Sequence, residues 1–208
     1  MIELELKAVI PDLDELLRAL ERAGARATFV GRLEDRRFDA AGDVLGRKGE
    51  TLRVRIYRPV SGAATASVDW KGPVSVTPGY KQREELSVAL ADPDVLMTIL
   101  GKIGLQPVQS IDRYIRQFAL CGASVRLEHY PLMDDLVEVE GDPVAIERAI
   151  ERIGIPRASF TSESLNEFVR RFEARTKTPA VLAASPGGSP GGEPEGPAGE
   201  AKAGCHEP

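Results

Sequence analysis

The feature that most restricts this chain is a two-residue alternation of apolar and charged side chains that begins at its N-terminus. Ile2, Leu4 and Leu6 alternate with Glu3, Glu5 and Lys7, so an extended segment has one greasy and one charged face. The pattern recurs. Leu52, Val54 and Ile56 alternate with Thr51, Arg53, Arg55 and Tyr57, and Val68 and Trp70 with Ser67, Asp69 and Lys71. Further on, Leu86, Val88 and Leu90 oppose Lys81, Arg83, Glu85 and Ser87. An antiparallel sheet with one wet face shows alternation too, but its wet face favours Thr, Ser and Lys, with charge placed at edges. Here Glu, Lys or Arg stands at mid-strand almost everywhere: Glu3, Glu5, Lys7, Arg53, Arg55, Lys71, Arg83, Glu85, Arg113, Glu128, Glu138 and Glu140. Two arrangements accommodate this: an ordinary solvated sheet face, or a sheet closed into a barrel whose lumen gathers both signs of charge while helices cover its greasy outside. The second suits a polyphosphate. Basic groups neutralise its oxygens, and clustered carboxylates hold hard divalent cations that bridge them.

Helix signals fall between the strands. Asp12 is placed to cap a helix with Leu13, Leu16, Leu17 and Leu20 on one face and Gly24 at its end. Arg26 to Asp39 reads as the next strand, and Gly42 to Gly49 as a turn region. Asp92 followed by Pro93 starts a second helix with Leu96, Ile99, Leu100 and Ile103 facing inward, stopped by Gly104. Strands are expected near Val108 to Leu120, Ser124 to Tyr130 and Asp135 to Glu140, with Gly122 turning the first pair. Asp142 and Pro143 then repeat the cap signature for a helix bearing Ile146, Ala149, Ile150 and Ile153, and an amphipathic helix covers about Glu163 to Arg175. The expected fold class is α+β.

With 208 residues, one domain plus a tail is the natural division. The folded domain is expected over 1–176. From Lys177 the Pro, Gly, Ala and Glu content is too poor in apolar groups to repay ordering, which makes 177–208 an expected disordered tail. A net charge of −5 implies neither a basic nucleic-acid surface nor a long acidic tail, so any electrostatic function must come from local clustering. Cys121 and Cys205 lie far apart, which argues against a disulfide framework and for a reducing compartment. No leader pattern and no apolar run of about twenty residues is present, so a cytoplasmic location is expected.

The order of these residues resembles the CYTH family, or triphosphate tunnel metalloenzymes, which includes class IV adenylate cyclases and thiamine triphosphatases. The resemblance extends over most of Met1 to Phe172. Glu3-Leu4-Glu5-Leu6-Lys7 matches the family's opening Glu-x-Glu-x-Lys, and Glu34-Asp35-Arg36-Arg37-Phe38-Asp39 its Glu-Asp-x-x-Tyr/Phe-Asp. Leu52-Arg53-Val54-Arg55, Arg83-Glu84-Glu85 and Leu136-Val137-Glu138-Val139-Glu140 match later strands, and Trp70-Lys71-Gly72-Pro73 looks like the Lys-Gly-Pro segment of the cyclase-like branch. There are departures. Where the family has a late Lys-x-Arg pair, this chain has Arg113-Tyr114-Ile115, with Arg116 on the other strand face; Glu128 stands where Asp is usual; Ser164-Leu165-Asn166-Glu167-Phe168-Val169 lacks the family's Tyr. His129 falls on the outer face by parity.

The resemblance implies a closed antiparallel β-barrel, the triphosphate tunnel, with helices packed on its outside. It implies that Glu3, Glu5, Glu128, Glu138 and Glu140 bind Mg²⁺ or Mn²⁺, and that Lys7, Arg53, Arg55, Lys71, Arg83 and Arg113 clamp the triphosphate. Glu85 and Lys71 are the implied catalytic groups, Glu85 orienting a basic neighbour, binding metal through water or acting as a base. Class IV adenylate cyclase is the first expectation, with hydrolysis of inorganic triphosphate, thiamine triphosphate or nucleotides next and a non-catalytic polyphosphate or nucleotide binder third. The implied partner is a small-molecule triphosphate rather than nucleic acid or membrane, and a homodimer is compatible with the pattern.

Overall fold

The computed structural model of the chain describes the backbone of residues 2–77 and 80–183, and the side chains of all of these except 2, 3, 76 and 77. The elements run β1 (Ile2–Val9), α1 (Leu13–Arg22), β2 (Arg26–Ala40), β3 (Thr51–Pro59), β4 (Thr65–Lys71), β5 (Ser75–Thr77) and β6 (Tyr80–Leu90). They continue with α2 (Pro93–Lys102), β7 (Leu105–Leu120), β8 (Ala123–His129), β9 (Leu136–Glu140), α3 (Pro143–Ile153) and α4 (Leu165–Thr176). Eight strands follow one another in the order β1-β9-β8-β7-β2-β3-β4-β6, every described pairing is antiparallel, and β6 pairs back onto β1 through Glu3 with Arg83 and Glu5 with Lys81. The sheet is therefore a closed barrel, and with its helices the fold is α+β. Closure leaves these strands without a free edge. β5 is an extra strand on β6, and it lies inside what the sequence reads as a Pro/Gly loop.

The alternation dictates which face goes where. Leu6, Ala8, Val125, Leu127, Val137 and Val139 turn outward and are covered by α1 and α3. Ile146, Ile150 and Ile153 of α3 are each 2% exposed or less, and burying such side chains stabilises by roughly 1.5–3 kcal/mol apiece. The caps are as expected. Asp12 accepts a hydrogen bond from the Glu15 N–H, Asp142 accepts from Val144 and Ala145, and Gly154 ends α3 in the left-handed region at φ 76°.

α2 departs from the expected packing. Its Leu100 joins Phe38 and Val54, with Leu96 and Met97 beside them, whereas Ile99 and Ile103 are 49% and 68% exposed. The helix covers the outer face around β2, β3 and β7, so Leu86 and Val88 of β6 remain exposed as well.

The chain also stays packed past the expected boundary at residue 176. Val181 forms an isolated bridge with Leu132, the Asp112 N–H donates to the Leu182 carbonyl at 2.7 Å, and Ala180 and Leu182 pack beside Phe168 and Phe172. This strap follows α4 onto the barrel. The expected disorder from 184 onward lies outside the described residues. One end of the lumen is stoppered by the same region: Ile111 and Leu136 share the inward face of Arg113 and Glu138, and Tyr130, Met133, Phe168 and Phe172 pack on them. Among the described residues, no helix is long and apolar enough to cross a membrane.

Candidate active site

The inward faces of the strands carry charge because the helices have taken up the apolar faces. Asp35 of β2, 2% exposed, is the hub on one side. Its Oδ1 accepts from Arg55 Nε at 2.7 Å and its Oδ2 from Arg55 Nη2 at 2.9 Å and Arg113 Nη1 at 3.0 Å, with Arg53 Nη1 3.5 Å away. Burial opposes ionisation of Asp35, but Arg55, Arg53 and Arg113 outweigh it and hold the carboxyl well below its ordinary range. Arg53 is held in turn by Asp69 at 2.6 Å, and Asp69 accepts from the Ser67 and Ser87 hydroxyls on β4 and β6. Arg113 also donates to Glu128 at 2.8 Å, and the Tyr130 hydroxyl donates to the other Glu128 oxygen at 2.7 Å. Glu128 is consequently held down to about 2, with burial opposed chiefly by Arg113 and Lys7.

A second cluster lies on β1, β6, β8 and β9. Lys7 pairs with Glu138 and reaches Glu5 at 3.4 Å, Lys81 pairs with Glu5, and Arg126 donates to Glu138 at 2.7 Å. Burial pushes the Lys7 ammonium down, against the pull of Glu5 and Glu128, while Lys7 and Lys81 keep Glu5 low despite its burial. Between the clusters, Lys71 meets Glu85 at 2.9 Å and Glu85 reaches Arg53 at 3.5 Å. Arg83 donates to the carbonyl oxygens of Gly72, Lys71 and Gly49. The Lys71-Gly72-Pro73 segment thereby aims Arg83, and the Trp70 ring occupies the space a Gly72 side chain would need, 3.2 Å from its Cβ.

Beside these groups opens a recess of about 370 Å³ lined by Arg55, Tyr57, Thr65, Ser67, Asp69, Glu85 and Ser87. Tyr57 is braced there by Phe29, ring centroids 5.3 Å apart and nearly perpendicular, and by the Arg55 guanidinium 5.8 Å from its ring centre.

The sequence profile of the CYTH domain matches residues 1–161. The chain belongs to the CYTH domain family. Solved structures agree with the fold of that family. A Vibrio parahaemolyticus protein provisionally assigned as an adenylate cyclase superposes with a TM-score of 0.69 at 16% identity, covering 82% of this chain and 98% of its own. A Pyrococcus horikoshii protein gives 0.65 at 22% identity over 81% and 98%. A Hippeastrum protein, described as an adenylyl cyclase candidate with a dominant triphosphatase activity, gives 0.60 at 15% identity over 82% and 95%. No curated protein matches the chain.

Within this CYTH barrel the basic residues expected to clamp a triphosphate, Lys7, Arg53, Arg55, Lys71, Arg83 and Arg113, all lie on inward-facing strand positions. Glu5, Glu85, Glu128 and Glu138 lie among them. Glu140 stands opposite Glu5 in the β1–β9 register. Glu3 pairs through its backbone with Arg83, and its side chain lies outside the described ones. The carboxylates are not gathered as a ready metal cage. Among the described residues no three acidic, His or Cys side chains stand grouped to hold an ion, because each buried acid has been drawn to a base. The donor chemistry still fits a hard divalent cation. Glu5, Glu138 and Glu140 offer only oxygen, on adjacent positions of two paired strands, once Lys7 and Lys81 are exchanged for the cation.

Sequence reasoning left Asp35, Asp69, Lys81, Arg126, Arg37 and Tyr130 out of the site. Asp69 and Lys81 share the inward parity of Lys71 and Arg83, a signal sufficient to include them. Asp35 lay inside a matched motif but without an assigned role. His129 is on the outer face as parity required, its Nδ1 2.8 Å from Asp135.

Proposed function

We propose that this chain is a metal-dependent enzyme acting on a nucleoside or inorganic triphosphate held in the barrel lumen. One observation carries the reading: Arg53, Arg55, Arg113, Lys7 and Lys71 are inward-facing and each is held by a carboxylate within the same lumen. A solvated sheet face has no reason to bury such a set, since each buried ion needs a partner to offset lost hydration. A triphosphate supplies oxygens for the guanidinium forks, and Mg²⁺ or Mn²⁺ would take the carboxylates of Glu5, Glu138 and Glu140, with Glu3 and Glu128 as further donors. When bound, such an ion supplies charge neutralisation at the transferring phosphorus. Arg53 and Arg55 orient the phosphates, Arg83 is fixed by backbone carbonyls, and Lys71 with Glu85 forms the ion pair placed to relay a proton beside the recess.

Adenylate cyclase chemistry is the first reading, because the recess next to the charged lumen offers the Tyr57 ring as one aromatic face for a nucleoside, among polar side chains. Triphosphate hydrolysis is the second. It is favoured by the activity ascribed to the Hippeastrum protein, while the hold of Lys71-Gly72-Pro73 on Arg83 serves either reaction. Product analysis separates them. With ATP and Mg²⁺ or Mn²⁺, a cyclase yields cyclic AMP and pyrophosphate in equal amounts and is silent on 3′-deoxy-ATP, which lacks the attacking oxygen. Orthophosphate from both nucleotides, or inorganic triphosphate consumed much faster than ATP, establishes the hydrolase instead. No turnover of either substrate with either metal refutes both.

A further inference from the structure

Two strands of the barrel carry an apolar outer face that none of the described helices covers. α1 and α3 lie over β1, β8 and β9, and α2 over β2, β3 and β7. Between them the outward positions of β4, Ala66, Val68 and Trp70, stand beside those of β6, Leu90, Val88 and Leu86, as an uncharged floor. A ridge borders it. Val95, Ile99 and Ile103 recur every four residues and form one stripe along α2, and together with Leu86 and Val88 they are 49–68% exposed. The direction of the ridge follows from chirality. Outward residues of β2 hydrogen-bond β3 and those of β4 hydrogen-bond β6, as in Val60 N–H to the Val30 carbonyl and Gly72 N–H to the Glu84 carbonyl. For L-residues this sets β2, β3, β4 and β6 from left to right, seen from outside with β2 pointing up. α2 leaves the lower end of β6 and climbs leftward to the upper end of β7 with Leu96 and Leu100 turned onto the barrel, so its right-handed winding carries Val95, Ile99 and Ile103 on the flank toward β4 and β6.

We infer that this face is the interface of a homodimer, in which the α2 ridge of each copy seats on the β4–β6 floor of the other about a two-fold axis. Shape argues for a second copy as the occupant. Ridge and floor lie side by side on one chain, so a two-fold rotation sets each against its complement, as a self-matching interface requires. Area agrees. The five exposed side chains leave roughly 500 Å² of apolar surface in water, the upper end of what a monomer's largest patch shows. At an interface's apolar share of about 60%, this corresponds to about 800 Å² per partner, the amount a stable pair buries. Charge narrows the choice further. The rim holds Glu84, Asp92 and Lys102, all exposed and of both signs, so no basic belt is present to hold an anionic lipid surface. The inference stands apart from the triphosphate reading, since the lumen takes no part in the contact.

Sedimentation velocity of the full chain across roughly 1–100 μM tests this, since interfaces of such a size associate at micromolar concentration or below. The unaltered protein should sediment as a dimer. Val88→Glu on the floor and Ile99→Lys on the ridge should each weaken association at least about a hundred-fold, because the two-fold axis buries each unpaired charge twice. Circular dichroism should show both variants folded, since both positions are exposed in the single chain. An equimolar mixture of the two should dimerise again, the new carboxylate on one floor meeting the new ammonium on the facing ridge. Ile103→Lys, at the most exposed ridge position, reads the same contact should Ile99→Lys fail to fold. An unaltered protein that stays monomeric at the highest concentration overturns the inference, and if it then floats with phosphatidylcholine vesicles the face belongs to lipid instead. A dimer that survives both Val88→Glu and Ile99→Lys places the interface elsewhere and also overturns it. Variants that are monomeric alone and remain so when mixed overturn the seating of ridge on floor.

Discussion

Replacing Asp35 by Asn tests whether the lumen is held together by its ion pairs. The change keeps the side chain's size, so no cavity forms, but it removes the charge that Arg55, Arg113 and Arg53 share. Its amide also presents donors where the guanidinium groups need acceptors. Breaking a buried pair by removing one partner costs roughly 3–5 kcal/mol, and at 2% exposure Asp35 has little solvent to soften that. For a domain of this size each kcal/mol lowers the thermal midpoint by roughly 2–4 °C, so the fall should be about 6–20 °C. The assay is thermal unfolding by circular dichroism, with and without inorganic triphosphate. A ligand at a hundred times its Kd stabilises by about 2.7 kcal/mol, and the freed guanidinium groups should make the ligand-induced rise at least as large in Asp35→Asn as in the unaltered protein. A midpoint within about 2 °C of the unaltered protein's would refute the ion-pair account. So would a large fall with no recovery on adding triphosphate.

Glu128 should make the fold acid-labile. Its carboxyl is held at about 2 against an ordinary 4.5, so its contribution, on the order of 3 kcal/mol, is complete above pH 4.5 and lost as pH falls toward 2; Glu128→Gln should flatten the fall in urea midpoint across that window. Truncation after Thr178 should lower the thermal midpoint while truncation after Ala183 should not, because the shorter chain loses the Leu132–Val181 hydrogen bonds and the Asp112–Leu182 bond, together roughly 2–4 kcal/mol. Gly31→Ala should destabilise by roughly 1–3 kcal/mol, since its Cβ would fall 2.2 Å from the Arg58 carbonyl oxygen across the β2–β3 ladder. Gly101→Ala, in a stretch of α2 where a Cβ meets nothing within 4 Å, should instead stabilise by roughly 0.5–1 kcal/mol, both read by denaturant unfolding. In turnover assays Glu5→Gln should abolish activity at low Mg²⁺ and also lower the thermal midpoint, because Lys7 and Lys81 lose a buried counter-ion, whereas Arg53→Ala should weaken triphosphate affinity more than metal dependence; identical metal titrations in folded Glu5→Gln would refute the metal assignment.

Strand alternation was legible because a closed barrel obeys one parity rule: odd positions of β1, β3, β4 and β6 face the lumen and even positions the outside. Helix caps were legible for a similar reason, since Asp12, Asp92 and Asp142 satisfy N–H groups within a few residues of themselves. What failed needed three-dimensional knowledge. Ile99 and Ile103 lie on the apolar stripe of α2 by spacing, yet the helix lies over β2, β3 and β7 and turns them out, which no local period can tell. Val181 and Leu182 sit at the start of a compositionally poor tail, and only their docking on Leu132 and Asp112 distinguishes them from it. Composition averages over such short segments.

The site shows the same division more sharply. Parity puts Arg113, Arg53, Arg55 and Asp35 on one face, but it cannot say that a carboxylate on β2 will be shared by guanidinium groups from both neighbouring strands. Pairing follows from curvature, which brings inward side chains closer than they would be on a flat sheet. It also changes the meaning of the acids. Read along the chain, Glu5, Glu128 and Glu138 are candidate metal ligands; inside the barrel they are counter-ions of Lys81, Arg113 and Lys7, and any cation must exchange with those partners. Arg37 makes the same point. In the sequence it is one more charged position of a strand, and only the hydrogen-bond geometry inside the barrel, where Gln109 takes its Nη1, leaves its Nε buried without a partner.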